Sequence, residues 1–321
     1  MWARTGKRWY RLIIKYDSNV MHFLPIVAGI SAVFLWGISF VAIKIVLPEM
    51  QLETMIFVRQ LLGLMTVGTI VGIRRKFILP ARNLVPSLIF TSFVGIILHQ
   101  WVQARGMMTT TAIVSAWLSA LSPMLIAVMS WIWLREKFMS KSLIWLLIAG
   151  FGAILISSGS WESLLLGNYG GSGAYMVAGS AFLWALYSIM LKKMLVNNDV
   201  SAITLIVLVL GFLMFIPIFV NVKGWLDFNS ISLNGWLALL VLGVGSTGLA
   251  SILYNYSLKN VSGVVAASLQ YPEPLVAMLG ASILLEESFT MSMCIGGLLI
   301  LVSLRSIQIL EIYDGGSKRA N

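Results

Sequence analysis

VVAASLQYPEPLVAMLGASILLEESF, residues 264–289, is a long apolar run with Pro272, Glu273 and Pro274 at its centre. Its length and hydrophobicity are those of a membrane-spanning helix. A carboxylate placed mid-span is costly unless paired, hydrated or protonated, so it marks a functional position by default. Two prolines beside it interrupt the helical hydrogen-bond ladder. The run has a partner in IVSAWLSALSPMLIAVMSWIWLREKF, residues 113–138. At an offset of 151 Pro123 falls on Pro274, Leu134 on Leu285, Glu136 on Glu287 and Phe138 on Phe289. At the same offset Ser119 falls on Gln270 and Ser122 on Glu273. An internal repeat of this kind governs the architecture.

Working outward, LWGISFVAIKIVL (35–47) aligns with LWALYSIMLKKML (183–195), and GFGAILIS (150–157) with GGLLILVS (296–303). Hydropathy divides the chain into ten expected spans, at 24–47, 54–73, 85–105, 109–134, 142–159, 172–194, 201–222, 234–257, 262–285 and 291–311. The composition, 59% hydrophobic and 11% charged, is that of an integral membrane protein, since soluble domains carry about 25% charge. The expected fold is therefore all-α, with ten transmembrane helices as two inverted five-helix repeats around a central cavity. The expected boundaries are a basic cytoplasmic tail at 1–23, a first repeat at 24–159, a second at 172–311 and a cytoplasmic tail at 312–321.

Five spans per half put the second half upside down relative to the first, and the charges agree. Arg4, Lys7, Arg8, Arg11 and Lys15 precede the first span; Arg74, Arg75, Lys76 and Arg82 follow the second; Arg135, Lys137 and Lys141 follow the fourth. Lys192, Lys193, Lys259, Arg305, Lys318 and Arg319 continue the series. The alternate loops carry Arg105 and Lys223 but also Glu49, Glu53, Glu162, Asp227, Glu286 and Glu287. A basic face of this kind is cytoplasmic. The expectation is a multi-pass protein of the cell (inner or plasma) membrane with both termini in the cytoplasm. The net charge of +10 then meets lipid headgroups rather than nucleic acid. Cys294 is alone, so neither a disulfide framework nor a zinc site is expected. The run after the basic start continues to Leu47 without a cleavage pattern and reads as an uncleaved first span.

On the pieces FLWGISFVAIK (34–44), FVRQLLG (57–63), ARGMMTTTAIVSAWLSALSPMLIAVMSWIWLREKF (104–138) and SLKNVSGVVAASLQYPEPLVAMLGASILLEESF (257–289), the chain resembles the EamA-type family of the drug/metabolite transporter superfamily. The resemblance covers all but the first 23 residues and about the last ten. It implies ten helices around a central cavity, alternating access, and export of small metabolites. The cargo differs among members: amino acids and their derivatives, nucleotide-related metabolites, sugars or drugs.

Several residues are candidates for the cavity. Thr111, Ser115, Ser119 and Ser122 form one helical stripe, and Ser262, Gln270 and Glu273 its counterpart. Small serines also serve close helix packing, whereas a carboxylate has no such use. His99 and Gln103 share a face of the third span, and Tyr254 and Asn255 stand at the matching place in the eighth. His99 suits a proton relay or a structural donor equally in type. Trp36, Trp101, Trp117, Trp184, Tyr187 and Tyr271 can form aromatic walls, while Trp131, Trp133, Trp145, Trp161 and Trp236 suit the interfacial belt. Lys44 and Arg59 could attract a carboxylate or phosphate, or snorkel to headgroups. Gly150, Gly152, Gly296 and Gly297 suggest close packing of the fifth and tenth spans and suit a homodimer as well.

The functional expectation is a secondary transporter of a small-molecule substrate, exporting amino acids or related compounds; if transport is proton-coupled, Glu273 is the first candidate carrier and His99 the second. An uncoupled facilitator, or carriage of another metabolite class, is the alternative. The chain has no P-loop, dinucleotide motif or cofactor signature. An intramembrane lipid-modifying enzyme would need converging nucleophiles or metal ligands, and with only His22 and His99 no catalytic constellation, metal or cofactor is expected.

Overall fold

The computed structural model describes residues 3–74, 79–134, 141–229, 231–261, 269–270 and 272–317. Every regular element among them is helical. Helix α1 is Ala3–Val46, α2 Leu52–Arg74, α3 Arg82–Met107, α4 Ala112–Ser119, α5 Ser122–Leu134 and α6 Lys141–Ser158. After the single turn α7 (Trp161–Leu165) come α8 Ser172–Leu195, α9 Val200–Asn221, α10 Leu233–Asn260, α11 Pro272–Leu284 and α12 Met291–Ser317. Six helices are long and apolar enough to cross a bilayer: Phe23–Val46 of α1, α2, α3, α8, α9 and α10. Four shorter apolar stretches, Ala112–Ile126, Ser142–Ser158, Pro272–Leu284 and Met291–Ile307, stand at the expected fourth, fifth, ninth and tenth spans. The stretch expected as an N-terminal tail is helical from Ala3 onward and runs into the first span through Pro25; residues 7–24 contain neither glycine nor proline to stop it. The last helix likewise continues to Ser317.

The expected fourth span is two helices. Ala120 and Leu121 form a turn: the Ala120 amide donates to Ala116 O at 3.2 Å and the Leu121 amide to Leu118 O at 3.1 Å. The helix restarts at Ser122, where Pro123 has no amide to satisfy. The motif centred on Glu273 also opens a helix on a proline. Gln270 lies in a turn, the Glu273 amide donates to its carbonyl at 3.2 Å, and α11 opens on Pro272, Glu273 and Pro274. The prolines thus start a helix where an interrupted one was expected.

Two π-helical stretches interrupt α3 at Phe93–Leu98 and α10 at Val241–Ala250. Widening the ladder shifts carbonyls out of regular register, and side chains from other helices take them up. Gln60 Nε2 donates to Ile96 O at 3.0 Å, and Trp36 Nε1 donates to Ser246 O at 3.2 Å.

The principal packings pair α1 with α10 and α11, α8 with α3 and with α4 and α5, α2 with α9 and α10, α9 with α3, α4 with α11, and α6 with α12. Close approach depends on glycine. A Cβ on Gly152 would meet Gly296 O at 2.6 Å, and one on Gly296 would meet Gly152 O at 2.6 Å. Gly106 and Gly173 face each other in the same reciprocal way where α3 meets α8.

One end of the bundle is tied by acids. Glu49 accepts from the Ser232 amide at 2.8 Å and its hydroxyl at 2.6 Å. These bonds, the hydroxyl's first, hold the Glu49 carboxyl below the usual range. Asp227 accepts from the Gln51 amide and side chain at 3.0 and 3.2 Å. Glu287 accepts from the Ala112 and Ile113 amides at 2.8 and 3.0 Å, capping the start of α4 beside Thr111, which caps Val114.

Candidate functional site

A cavity lies among α1, α2, α3, α8, α10 and the starts of α5 and α11. It offers about 80 Å³ to the centres of water molecules, several times what one water requires. Its wall is built from both halves of the chain. Trp36, Ser39 and Phe40 come from α1, Arg59 from α2, and Gly95, Ile96, His99, Gln100 and Gln103 from α3. Ser119 and Ser122 flank the α4–α5 break; Trp184 and Tyr187 belong to α8. Ser246, Thr247, Ser251 and Asn255 belong to α10, and Gln270 and Glu273 enter at the start of α11.

The aromatic side is a cluster. Trp36 meets Trp184 edge-on with centroids 5.0 Å apart, and Trp184 lies 5.3 Å from Tyr187 and 5.2 Å from His99. Such contacts fix the rings without consuming their polar edges. The polar side is held by neutral hydrogen bonds. Gln270 Nε2 donates to Tyr254 Oη at 2.9 Å, Asn255 Nδ2 donates to Thr204 Oγ1 at 2.8 Å, and Gln103 Nε2 reaches Ser119 Oγ at 3.4 Å.

The charged groups are Arg59 and Glu273. Arg59 is 6% exposed. Its Nε donates to Thr247 Oγ1 at 3.1 Å and its Nη2 to Ser246 Oγ at 3.3 Å. Both hydroxyls sit in the π stretch of α10. Among the described residues neither charge is joined to an opposite one in an ion pair. Nor, among those residues, do three or more His, Cys, Asp or Glu gather to hold a metal ion.

The structure brings Glu273, Gln270, Asn255, His99, Gln103, Trp36, Trp184, Tyr187, Ser119 and Arg59 to this one cavity. It places three other candidates elsewhere. Tyr254 is 1% exposed, packs 4.8 Å from Trp36 and supports Gln270 from behind the wall. Trp117 is buried with its ring against Gly297, a dry contact between α4 and α12. Lys44 does not pair with Arg59; its Nζ donates to Met107 O and Thr110 O, both at 3.0 Å, and fastens the turn between α3 and α4. Trp101 donates to Glu53 at 3.1 Å. Of the serine stripe, Thr111 and Ser115 make local bonds, Ser115 Oγ to Thr111 O at 2.7 Å, and only Ser119 and Ser122 reach the cavity. Ser262, Tyr271 and Glu136 lie outside the described residues. Ser246, Thr247, Ser39, Gln100 and Gly95 were missed; the run GVGSTGLAS (243–251), small and polar inside a span, is the signal that could have found the first two.

The model of the EamA-like transporter family matches residues 23–158 and 171–307. The uncharacterized transporter YvbV of Bacillus subtilis is 25% identical over 278 residues, covering 85% of this chain and 87% of its own. An uncharacterized transporter of Archaeoglobus fulgidus is 26% identical over 266 residues, covering 83% and 90%. YetK of Bacillus subtilis, also named an uncharacterized transporter, is 27% identical over 208 residues; the match spans 63% of this chain and 61% of that relative, under two thirds of its length. A solved crystal structure, 15% identical, superposes with a TM-score of 0.62 over 89% of this chain and 96% of its own, a likeness of fold.

Proposed function

The chain belongs to the EamA-like transporter family, a family of multi-pass membrane transporters, and from that premise we propose that it moves small polar metabolites, amino acids or their relatives, by alternating access. The observation that carries this is the cavity itself. It sits where α5 restarts after the α4 break and α11 begins, is walled by both halves, and holds a carboxylate, Glu273, at a helix start. Discontinuous helices at a mid-membrane site between repeats are a recurrent transport architecture.

The halves are 24–159 and 172–311, related as inverted five-helix repeats that give ten spans. The packing supports this. Exchanging α1 with α8, α2 with α9, α3 with α10, α4–α5 with α11 and α6 with α12 turns the principal contacts into one another. The π stretches of α3 and α10 fall at corresponding places in the two halves, as do the proline-bearing starts of α5 and α11. The loop charges support termini on the cytoplasmic side of the plasma membrane, and export is the direction taken from the family resemblance.

Glu273 is the proposed proton carrier. The test is counterflow in proteoliposomes against labelled amino acids, nucleosides and organic anions, with and without a pH gradient. Accumulation of one class under the gradient, and loss of the pH dependence in Glu273→Gln with exchange retained, is the expected result. Exchange that ignores the gradient in the wild type makes the protein a facilitator and Glu273 structural. No movement of any solute removes the transport reading.

A further inference from the structure

We propose that Arg59 is the specificity-determining residue of the cavity and that it receives a carboxylate of the substrate. The inference rests on the transport reading above and goes beyond it to the chemistry that the site selects. A guanidinium offers five N–H donors in a planar fork. Arg59 commits two of them, Nε to Thr247 Oγ1 and one on Nη2 to Ser246 Oγ. Both acceptors are neutral hydroxyls on α10, so they aim the group without neutralising it. Among the described residues the remaining donors have no protein acceptor, yet the side chain is 6% exposed and lines the cavity. A desolvated cation left in this state is costly unless something anionic joins it.

The resident acid does not fill that role. Glu273 lines the same cavity but forms no ion pair with Arg59 among the described residues. The other nearby titratable groups, His99 on α3 and Tyr187 on α8, supply no carboxylate. Lys44, the second cation expected in this region, is tied to the carbonyls of Met107 and Thr110. Among the described residues the cavity therefore presents a single fork-shaped cation, with a carboxylate elsewhere in its wall. A phosphate monoester, carrying about −1.5 to −2 at neutral pH, would meet one cation and one opposing acid. A carboxylate carries one charge and matches the fork in two parallel hydrogen bonds. The source of the oxyanion is therefore a carboxylate, with phosphate as the competing source.

The test uses the full chain in proteoliposomes, labelled with whichever solute of the panel accumulates. L-phenylalanine, L-phenylalaninamide and phenyl phosphate serve as competitors, chosen because the wall beside Arg59 is aromatic. Wild type is expected to prefer the acid over the amide by about 100-fold or more, the scale of leaving a buried charge unpaired. Arg59→Gln is expected to bring that ratio close to one, chiefly through KM, and Arg59→Lys to restore part of it. Elution and melting of each variant are followed in parallel, so a misfolded protein is recognised; Ser246→Ala, which leaves the cation in place and removes one aiming hydroxyl, is expected to weaken the preference partially. Equal competition by acid and amide in the wild type overturns the proposal. So does preference for phenyl phosphate, or an Arg59→Gln that weakens acid and amide equally, which would make Arg59 a structural tie between α2 and α10. A panel in which only solutes without a carboxylate are carried overturns it too, and leaves the transporter standing.

Discussion

The cavity wall is sensitive to single atoms at Gly95. A Cβ built there falls within the ring of Tyr187, because α3 and α8 approach through the π stretch at that point. Gly95→Ala must push the Tyr187 ring into the cavity or force the helices apart. The expected outcome is a destabilisation of about 1–3 kcal/mol, read as a lower melting temperature in detergent, and a larger proportional loss of transport. Transport unchanged would mean that Tyr187 is free to leave the wall. At this scale the sequence disclosed the unusual residue and hid its neighbours. Glu273 stands out because nothing apolar surrounds a carboxylate without reason. Lys44 and Arg59 look alike in a string of letters, both cations a few residues from a span end. One is bound to backbone carbonyls of a turn and the other faces the cavity, a difference set by helix rotation and depth that single-chain spacing does not carry.

Helix ends and interruptions were legible to different degrees. Pro123 and the Pro272–Pro274 pair announce themselves, since proline suits a first helical turn and disrupts a helix interior. The π stretches left no trace, because FVGIIL and VLGVGSTGLA have no polar stripe whose slip would reveal an extra residue in the turn. In the sequence Glu287 stands as the counterpart of Glu136 and as a loop charge marking sidedness; in the structure its carboxylate closes the first turn of α4 from across the chain. Glu286, in the left-handed region at φ 55°, immediately precedes it in the turn that ends the α11 segment. Glu287→Ala is expected to cost about 1–2 kcal/mol, the scale of a lost cap, measurable as an earlier melting transition. Glu287→Gln retains an acceptor and is expected to lose less. An alanine variant as stable as wild type would show that Thr111 alone suffices to cap α4.

At the scale of the molecule, the charge pattern makes a two-sided prediction. In a Cys294→Ser background, a cysteine at Lys223, in the turn after α9, should react with an impermeant thiol reagent on intact cells. One at Arg82, the first residue of α3, should react only after permeabilisation. Arg82 is exposed and Lys223 sits in a turn at the acid-rich end, so neither outcome depends on opening the bundle. The reverse labelling would invert the assigned sidedness while leaving the fold untouched. The all-helical, membrane-spanning character was readable from composition and hydropathy, and the family model matches two segments of the chain, 23–158 and 171–307. The contacts between the segments were readable only at the glycines.

The reciprocal approach of Gly152 and Gly296 carries a mechanical implication. With no side chain between them, α6 and α12 touch backbone to backbone, each carbonyl seated where the other's Cβ would be. Ile156 of α6 and Leu299 and Ile300 of α12 crowd the same contact, so it resists sliding and turning alike. If the two halves rock against one another, α6 and α12 would be clamped here as one body, and the swing would be taken up elsewhere in the molecule.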